Sequence, residues 1–185
     1  KKFEGTFLDY VELVKKNPEV AKTAHKRLFE AISEHGMEKM PDSDPRKKKI
    51  FDNDNVKSYS YFKEHFFGME QVLAKLMRFL KSAAHNGEES RQVLLLMGPV
   101  GAGKSALVEH IKSSLESCDP IYVLKGCPIR EEPLHLIPRS LRATFEEDYG
   151  IKIEGDLCPV CRHRLLNECE GDFTKFPITQ TSFSV

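Results

Sequence analysis

An α/β fold is predicted, and three observations carry the prediction. Val93, Leu94, Leu95, Leu96 and Met97 follow one another without a break, an apolar run of strand length like those buried on both faces of a parallel sheet. A glycine-rich stretch comes next, and after it Leu107, Val108, Ile111 and Leu115 recur at helical spacing. A second short apolar run follows, Ile121–Leu124. Strand, loop, helix and strand in that order make a βαβ unit with an expected right-handed crossover.

The chain before this unit reads as helical. Thr6 and Asp9 have the spacing of a capping box, and Phe7, Tyr10, Val11 and Val14 share the helical face behind it. At Asn17-Pro18 the chain stops and restarts, because Asn caps and Pro suits the first helical position. Val20, Ala24, Leu28 and Ile32 line a second helix, and Gly36 can end it. The pair is expected to pack as a helical hairpin. Residues 40–60 hold Pro41, Pro45, the basic run Arg46-Lys47-Lys48-Lys49 and a polar Asp/Asn stretch, so they read as a solvated linker. Residues 61–84 are helical again: Met69, Val72, Leu73, Leu76 and Leu80 keep the period, Phe66-Phe67-Gly68 forms the entry turn and Gly87 stops the helix. Beyond Gly126, Pro128, Pro133 and Pro138 break the pattern, with a short helix expected at 141–149. Residues 155–174 read as an insertion, and a strand is expected to begin near Phe176.

Composition excludes several classes of function. The 185 residues carry 28 basic and 28 acidic side chains, so no net field attracts nucleic acid or an anionic membrane surface. No apolar run approaches the ~20 residues of a bilayer span, and no signal peptide is recognisable. A cytoplasmic protein without nucleic-acid or membrane partners is expected. The chain starts at Lys1 and stops where a strand begins, which is read here as a piece of a longer protein.

The sequence Gly98-Pro99-Val100-Gly101-Ala102-Gly103-Lys104-Ser105 matches the Walker A pattern G-x-x-x-x-G-K-S/T in full. Glycines let the backbone curl so that successive N–H groups face phosphate oxygens, and the following helix adds its positive end. Lys104 would reach the β- and γ-phosphates of ATP, and Ser105 would offer its hydroxyl to Mg2+. A P-loop NTPase with a three-layer core follows as the expected fold. Hydrolysis or transfer also needs an acid in the Mg2+ shell, at the end of a second strand. Ile121–Leu124 runs into Lys125-Gly126, and Glu146-Glu147-Asp148 belongs to a helix pattern, so neither supplies it. The catalytic acid is expected beyond Val185.

Cys158-Pro159-Val160-Cys161 is a knuckle that can present two thiolates to one tetrahedral metal ion. The further ligands expected for Zn2+ are Cys127, in a Gly126-Cys127-Pro128 turn, and either His135 or Cys169, with His163 also available. Two other readings stand beside zinc: reduced thiols with no ligand, and a redox disulfide at a helix start. Cys118 reads as a small core or surface residue, and His25, His35, His65, His85 and His110 as ordinary surface or packed histidines of helices.

These residues together resemble the PrkA family of bacterial and archaeal serine protein kinases with an AAA-type ATPase domain. The resemblance rests on Phe3-Glu4-Gly5-Thr6-Phe7, Thr23-Ala24-His25, Phe66-Phe67-Gly68-Met69-Glu70 and Leu95-Leu96-Met97 with the phosphate loop. It continues through Leu124-Lys125-Gly126-Cys127-Pro128, Glu132-Pro133-Leu134-His135-Leu136-Ile137-Pro138 and Asp148-Tyr149-Gly150-Ile151. It implies an incomplete AAA-type core, expected at 58–185; the residues themselves mark the helical hairpin and linker at 1–57 and the cysteine insertion at about 126–175. It places Phe67 and Gly68 near the adenine. It further implies a serine/threonine kinase acting on protein substrates, with homo-oligomers formed through the AAA domain. The alternatives are an AAA ATPase that remodels protein partners without phosphotransfer, and a non-catalytic nucleotide-binding module.

Overall fold

The computed structural model describes residues 2–39, 57–118 and 120–183. In chain order the elements are β1 (Glu4–Thr6), α1 (Phe7–Lys16), α2 (Ala24–Glu34), β2 (Met37–Lys39), β3 (Lys57–Tyr59), α3 (Ser60–Lys63), α4 (Glu70–Ala84), α5 (Lys104–Glu116), β4 (Ile121–Leu124), α6 (Arg139–Tyr149), α7 (Pro159–Glu168) and β5 (Pro177–Thr181). The described residues within Lys1–Lys22 and Asp119–Ser184 form one compact unit, and those within Thr23–Cys118 form another.

The first unit is built on an antiparallel sheet of order β1-β5-β4. β5 is central, pairing Glu4 with Thr179 on one side and Leu124 with Ile178 on the other. α1 starts where its sequence directs: Thr6 Oγ1 accepts the Asp9 N–H, and the Asp9 carboxylate accepts the Thr6 N–H at 2.7 Å. That reciprocal cap fixes which face turns inward, and Phe7, Tyr10 and Val14 are buried. Each such side chain contributes roughly 1.5–3 kcal/mol by leaving water. They pack with Leu124, Leu134, Leu136, Phe176 and Ile178. The buried Tyr10 keeps its hydroxyl satisfied by donating to Glu132 Oε1 at 2.8 Å.

The second unit packs α2, α4 and α5 around Ile32, Phe62, Phe66, Leu73, Leu76, Met77, Leu80 and Leu107. β2 and β3 form an antiparallel pair beside them. α4 ends by a left-handed residue at Asn86 (φ 58°), after which the Gly87 N–H returns to the Ser82 carbonyl at 2.9 Å.

Several expectations are corrected. Residues 92–97 are not a strand, and Val93, Leu95 and Met97 are 93%, 73% and 84% exposed. A strand exists only where its N–H and C=O groups find a ladder, and both sheets here recruit other segments. The parallel βαβ unit and three-layer core are therefore not formed among the described residues, where every strand pair is antiparallel. The N-terminal hairpin is also not the arrangement found: α1 belongs to the first unit and α2 to the second. The restart at Asn17-Pro18 makes a 3-10 turn (Pro18–Ala21), and α2 begins later, capped by Thr23 Oγ1 on the Lys26 N–H at 3.3 Å. The turn expected at Phe66-Phe67-Gly68 is present: it separates α3 from α4, and Gly68 holds a left-handed φ of 73° there. The insertion expected near 126–175 takes part in the first unit's core through Cys161, Cys169 and Ile153. The basic run at 46–49 lies outside the described residues. No described helix is long and apolar enough to cross a membrane.

Candidate functional site

Gly101 and Gly103 hold φ of 82° and 74°, left-handed values that cost a residue with a Cβ roughly 1–2 kcal/mol. The turn closes with the Ala102 N–H on the Pro99 carbonyl at 3.3 Å. α5 then begins at Lys104, with Gly103 as its N-cap and no side-chain oxygen on its first N–H groups. Those donors, left without partners inside the helix, sit at the positive end of its dipole. Nor does any acidic side chain stand in the first turn to compete for them. The Lys104 ammonium folds back on the loop and donates to the carbonyls of Gly98 and Pro99 at 2.8 and 2.6 Å. Ser105 is exposed in the same first turn. All eight residues of the expected phosphate loop are thus contiguous at the start of one helix.

The turn between α3 and α4 lies against this loop. A Cβ built on Gly103 would stand 4.0 Å from Met69 Sδ, next in sequence to Gly68. The left-handed Gly68 sends neighbouring rings opposite ways: Phe66 is 8% exposed in the core, whereas Phe67 is 78% exposed. α3 is pinned to α5 by a reciprocal clasp. The Tyr61 hydroxyl donates to the His110 carbonyl at 2.7 Å, His110 Nε2 lies 3.1 Å from the Tyr61 carbonyl, and the two rings are 4.4 Å apart. His110 is thus a packed residue, and the clasp sets the Phe67 turn relative to the phosphate loop's helix.

The expected cysteine set is partly assembled in the first unit. Cys127, Cys158 and Cys161 come together, and the fourth group is Glu131: the ligand atoms of these four all lie within 4.8 Å of one another. Neither His135 nor Cys169 occupies that place. His135 Nδ1 instead lies 3.2 Å from Glu131 Oε1, and its Nε2 lies 2.7 Å from the Glu154 carbonyl. Cys169 is buried at the far end of α7. Sequence reasoning missed Glu131 because a lone acid in an irregular stretch carries no motif. The available signal was its spacing of four from Cys127 and four from His135. Cys118 packs with its Sγ 3.4 Å from the Ser114 carbonyl.

With this geometry in place, the comparisons with known proteins decide the family. The family model of the PrkA AAA domain matches residues 5–185. The chain belongs to the PrkA AAA domain family. A Bacillus subtilis relative named ATP-dependent protease PrkA is 41% identical over 189 residues, covering 99% of this chain and 28% of the relative. An Escherichia coli relative named serine/threonine kinase YeaG is 33% identical over 184 residues, covering 96% of this chain and 28% of the relative. The chain therefore spans just over a quarter of the length of these PrkA relatives. No solved structure matches it. An AAA domain uses ATP with Mg2+, and the glycine loop of this PrkA-family chain has the residue types that such use requires.

Proposed function

We propose that the chain binds ATP with Mg2+ through residues 98–105, as the nucleotide-binding portion of a PrkA-like serine/threonine protein kinase acting on protein substrates. The observation that carries the binding reading is the pair of left-handed glycines, Gly101 and Gly103, leading into a helix that starts at Lys104 without a side-chain cap. In this reading the backbone N–H groups of the loop donate to phosphate oxygens. Lys104 swings its flexible stem away from the Gly98 and Pro99 carbonyls and sets its charge against the β- and γ-phosphates. Ser105 Oγ would hold the Mg2+, which would supply positive charge to offset that of the phosphates. The exposed Phe67 ring flanks the adenine.

A second reading is ATP-driven work on protein partners with no phosphoprotein product. Two observations favour it. The loop is of the NTPase kind, whereas ordinary protein kinases cover the phosphates with a glycine loop and place their lysine on a separate strand. The Bacillus subtilis relative is named an ATP-dependent protease. The purified protein, given γ-labelled ATP and a candidate protein substrate, separates the two. Label on a substrate hydroxyl supports the kinase. Phosphate release stimulated by the protein partner, with no label retained, supports the second reading.

A further inference from the structure

Cys127, Glu131, Cys158 and Cys161 are brought together from three separate stretches of the chain, and local structure prepares each of them. Cys127 follows the left-handed Gly126 (φ 76°), and its N–H returns to the Leu124 carbonyl at 3.0 Å, closing a tight turn at the end of β4. The Leu124 N–H in turn donates to the Glu131 carbonyl at 3.0 Å, so both sides of the loop are tied to one strand residue. Cys158 is the N-cap of α7, with Pro159 at the first helical position. Its Sγ accepts the Cys161 N–H at 3.3 Å. The Cys158 N–H donates to both Glu131 oxygens, at 2.9 and 3.1 Å. Cys127 Sγ stands 3.9 Å from both Cys158 Sγ and Glu131 Oε2.

Such a group conflicts with itself electrostatically. Cys161 is fully buried, Glu131 is 5% exposed and Cys127 9%. A buried carboxylate crowded by thiols is costly unless a cation compensates it. A coordinated metal ion reverses the balance, because it deprotonates the thiols that bind it. Three sulfurs and one oxygen form a soft donor set suited to zinc, and four protein ligands close the coordination shell, as in structural centres.

The surroundings supply the outer support that such centres require. His135 lies against Glu131 on one side and the Glu154 carbonyl on the other, and Gly155 leaves room for its ring: a Cβ there would come within 3.2 Å of it. Arg142 frames the same loop, donating to the carbonyls of Ile137, Gly155 and His135 at 3.0, 2.6 and 3.3 Å. We propose that Cys127, Glu131, Cys158 and Cys161 form a closed Zn2+ centre that clamps the end of β4 to the start of α7, with His135 as a positioning residue for Glu131.

Elemental analysis of protein purified without added metal is expected to find about one zinc per chain. Cobalt added to chelator-stripped wild-type protein should give intense thiolate-to-metal charge-transfer absorption, a readout that needs no variant. Cys158→Ser should abolish stoichiometric zinc, and Glu131→Gln should weaken zinc binding. His135→Ala should keep one zinc per chain with affinity lowered by about 10–100-fold, the effect of losing an outer-shell partner. Folded protein with no zinc and freely titrating thiols would overturn the centre, as would a disulfide between Cys127 and Cys158. Unchanged affinity in Glu131→Gln, with stoichiometry lost in His135→Ala, would overturn the assignment of Glu131.

Discussion

The phosphate loop in the second unit and the cysteine cluster in the first are built by opposite strategies. The loop is made of backbone: eight consecutive residues, two left-handed glycines and the exposed start of one helix. The cluster is made of side chains, three of them buried and Cys158 half-buried, and the contact that joins it closes a separation of 31 residues between Cys127 and Cys158. A backbone site needs little from the rest of the fold except a helix to stand on. A side-chain site needs the fold first, because its members meet only when β4, the following loop and α7 are in place. Damage to the loop is therefore expected to cost ligand and spare the fold, whereas damage to the cluster is expected to cost the fold locally.

The largest expected effect comes from removing metal. A strong chelator should destabilise the first unit by about 4 kcal/mol or more, the range reserved for loss of a metal or a buried network. Hydrogen exchange should show the loss in α7 and β4, while α4 keeps its protection. Equal loss in both units would break the contrast drawn here. A smaller effect is expected at Gly103. Its φ of 74° leaves space for a Cβ, with Met69 Sδ 4.0 Å away, so Gly103→Ala is a backbone test and not a steric one. It should cost roughly 1–2 kcal/mol. That cost should appear as about 5- to 30-fold weaker ATP binding, measured by calorimetry, if the loop relaxes out of its left-handed turn.

The smallest effect is expected at the α1 cap. Thr6→Ala should lower stability to urea by about 0.5–2 kcal/mol. The N–H and then the hydroxyl of Thr6 hold the Asp9 carboxyl below its usual range. A depressed carboxyl stabilises the fold above its unfolded pKa, and that contribution is lost as pH falls through the folded value. The gap between wild type and Thr6→Ala should therefore narrow in acid. A gap that persists unchanged at the lowest pH would show that the bond from the Thr6 hydroxyl to the Asp9 carboxylate contributes nothing.

The same contrast governs what the sequence discloses. Thr6, Gly103 and Lys104 act on residues within a few positions, so capping box, loop and helix start are all readable along the chain. Cys158 and Cys161 are equally local. Cys127 was recognisable as a partner only by type, and Glu131 carried no more than its spacing from Cys127 and His135, because its role is set by a turn that brings it back to Leu124. Residues 92–97 show the reverse error: their apolarity is a property of the segment, but strandhood is a property of a partner, and neither sheet provides one. The hairpin expectation failed for the same reason, since the faces of α1 and α2 are legible but the cores they serve are not.

The claim on which the account rests is that residues 98–105 hold the phosphates of ATP. Calorimetric titration of ATP with Mg2+ into wild-type protein and Lys104→Ala, each checked by circular dichroism, tests it most directly. The variant removes one cation from a loop whose bonds to Gly98 and Pro99 are its own, so its fold and thermal midpoint should stay close to wild type. Its affinity for ATP should fall by about 10- to 100-fold or more, the loss expected for charge-assisted bonds to phosphate. Equal affinity in the two proteins would contradict the assignment of the loop.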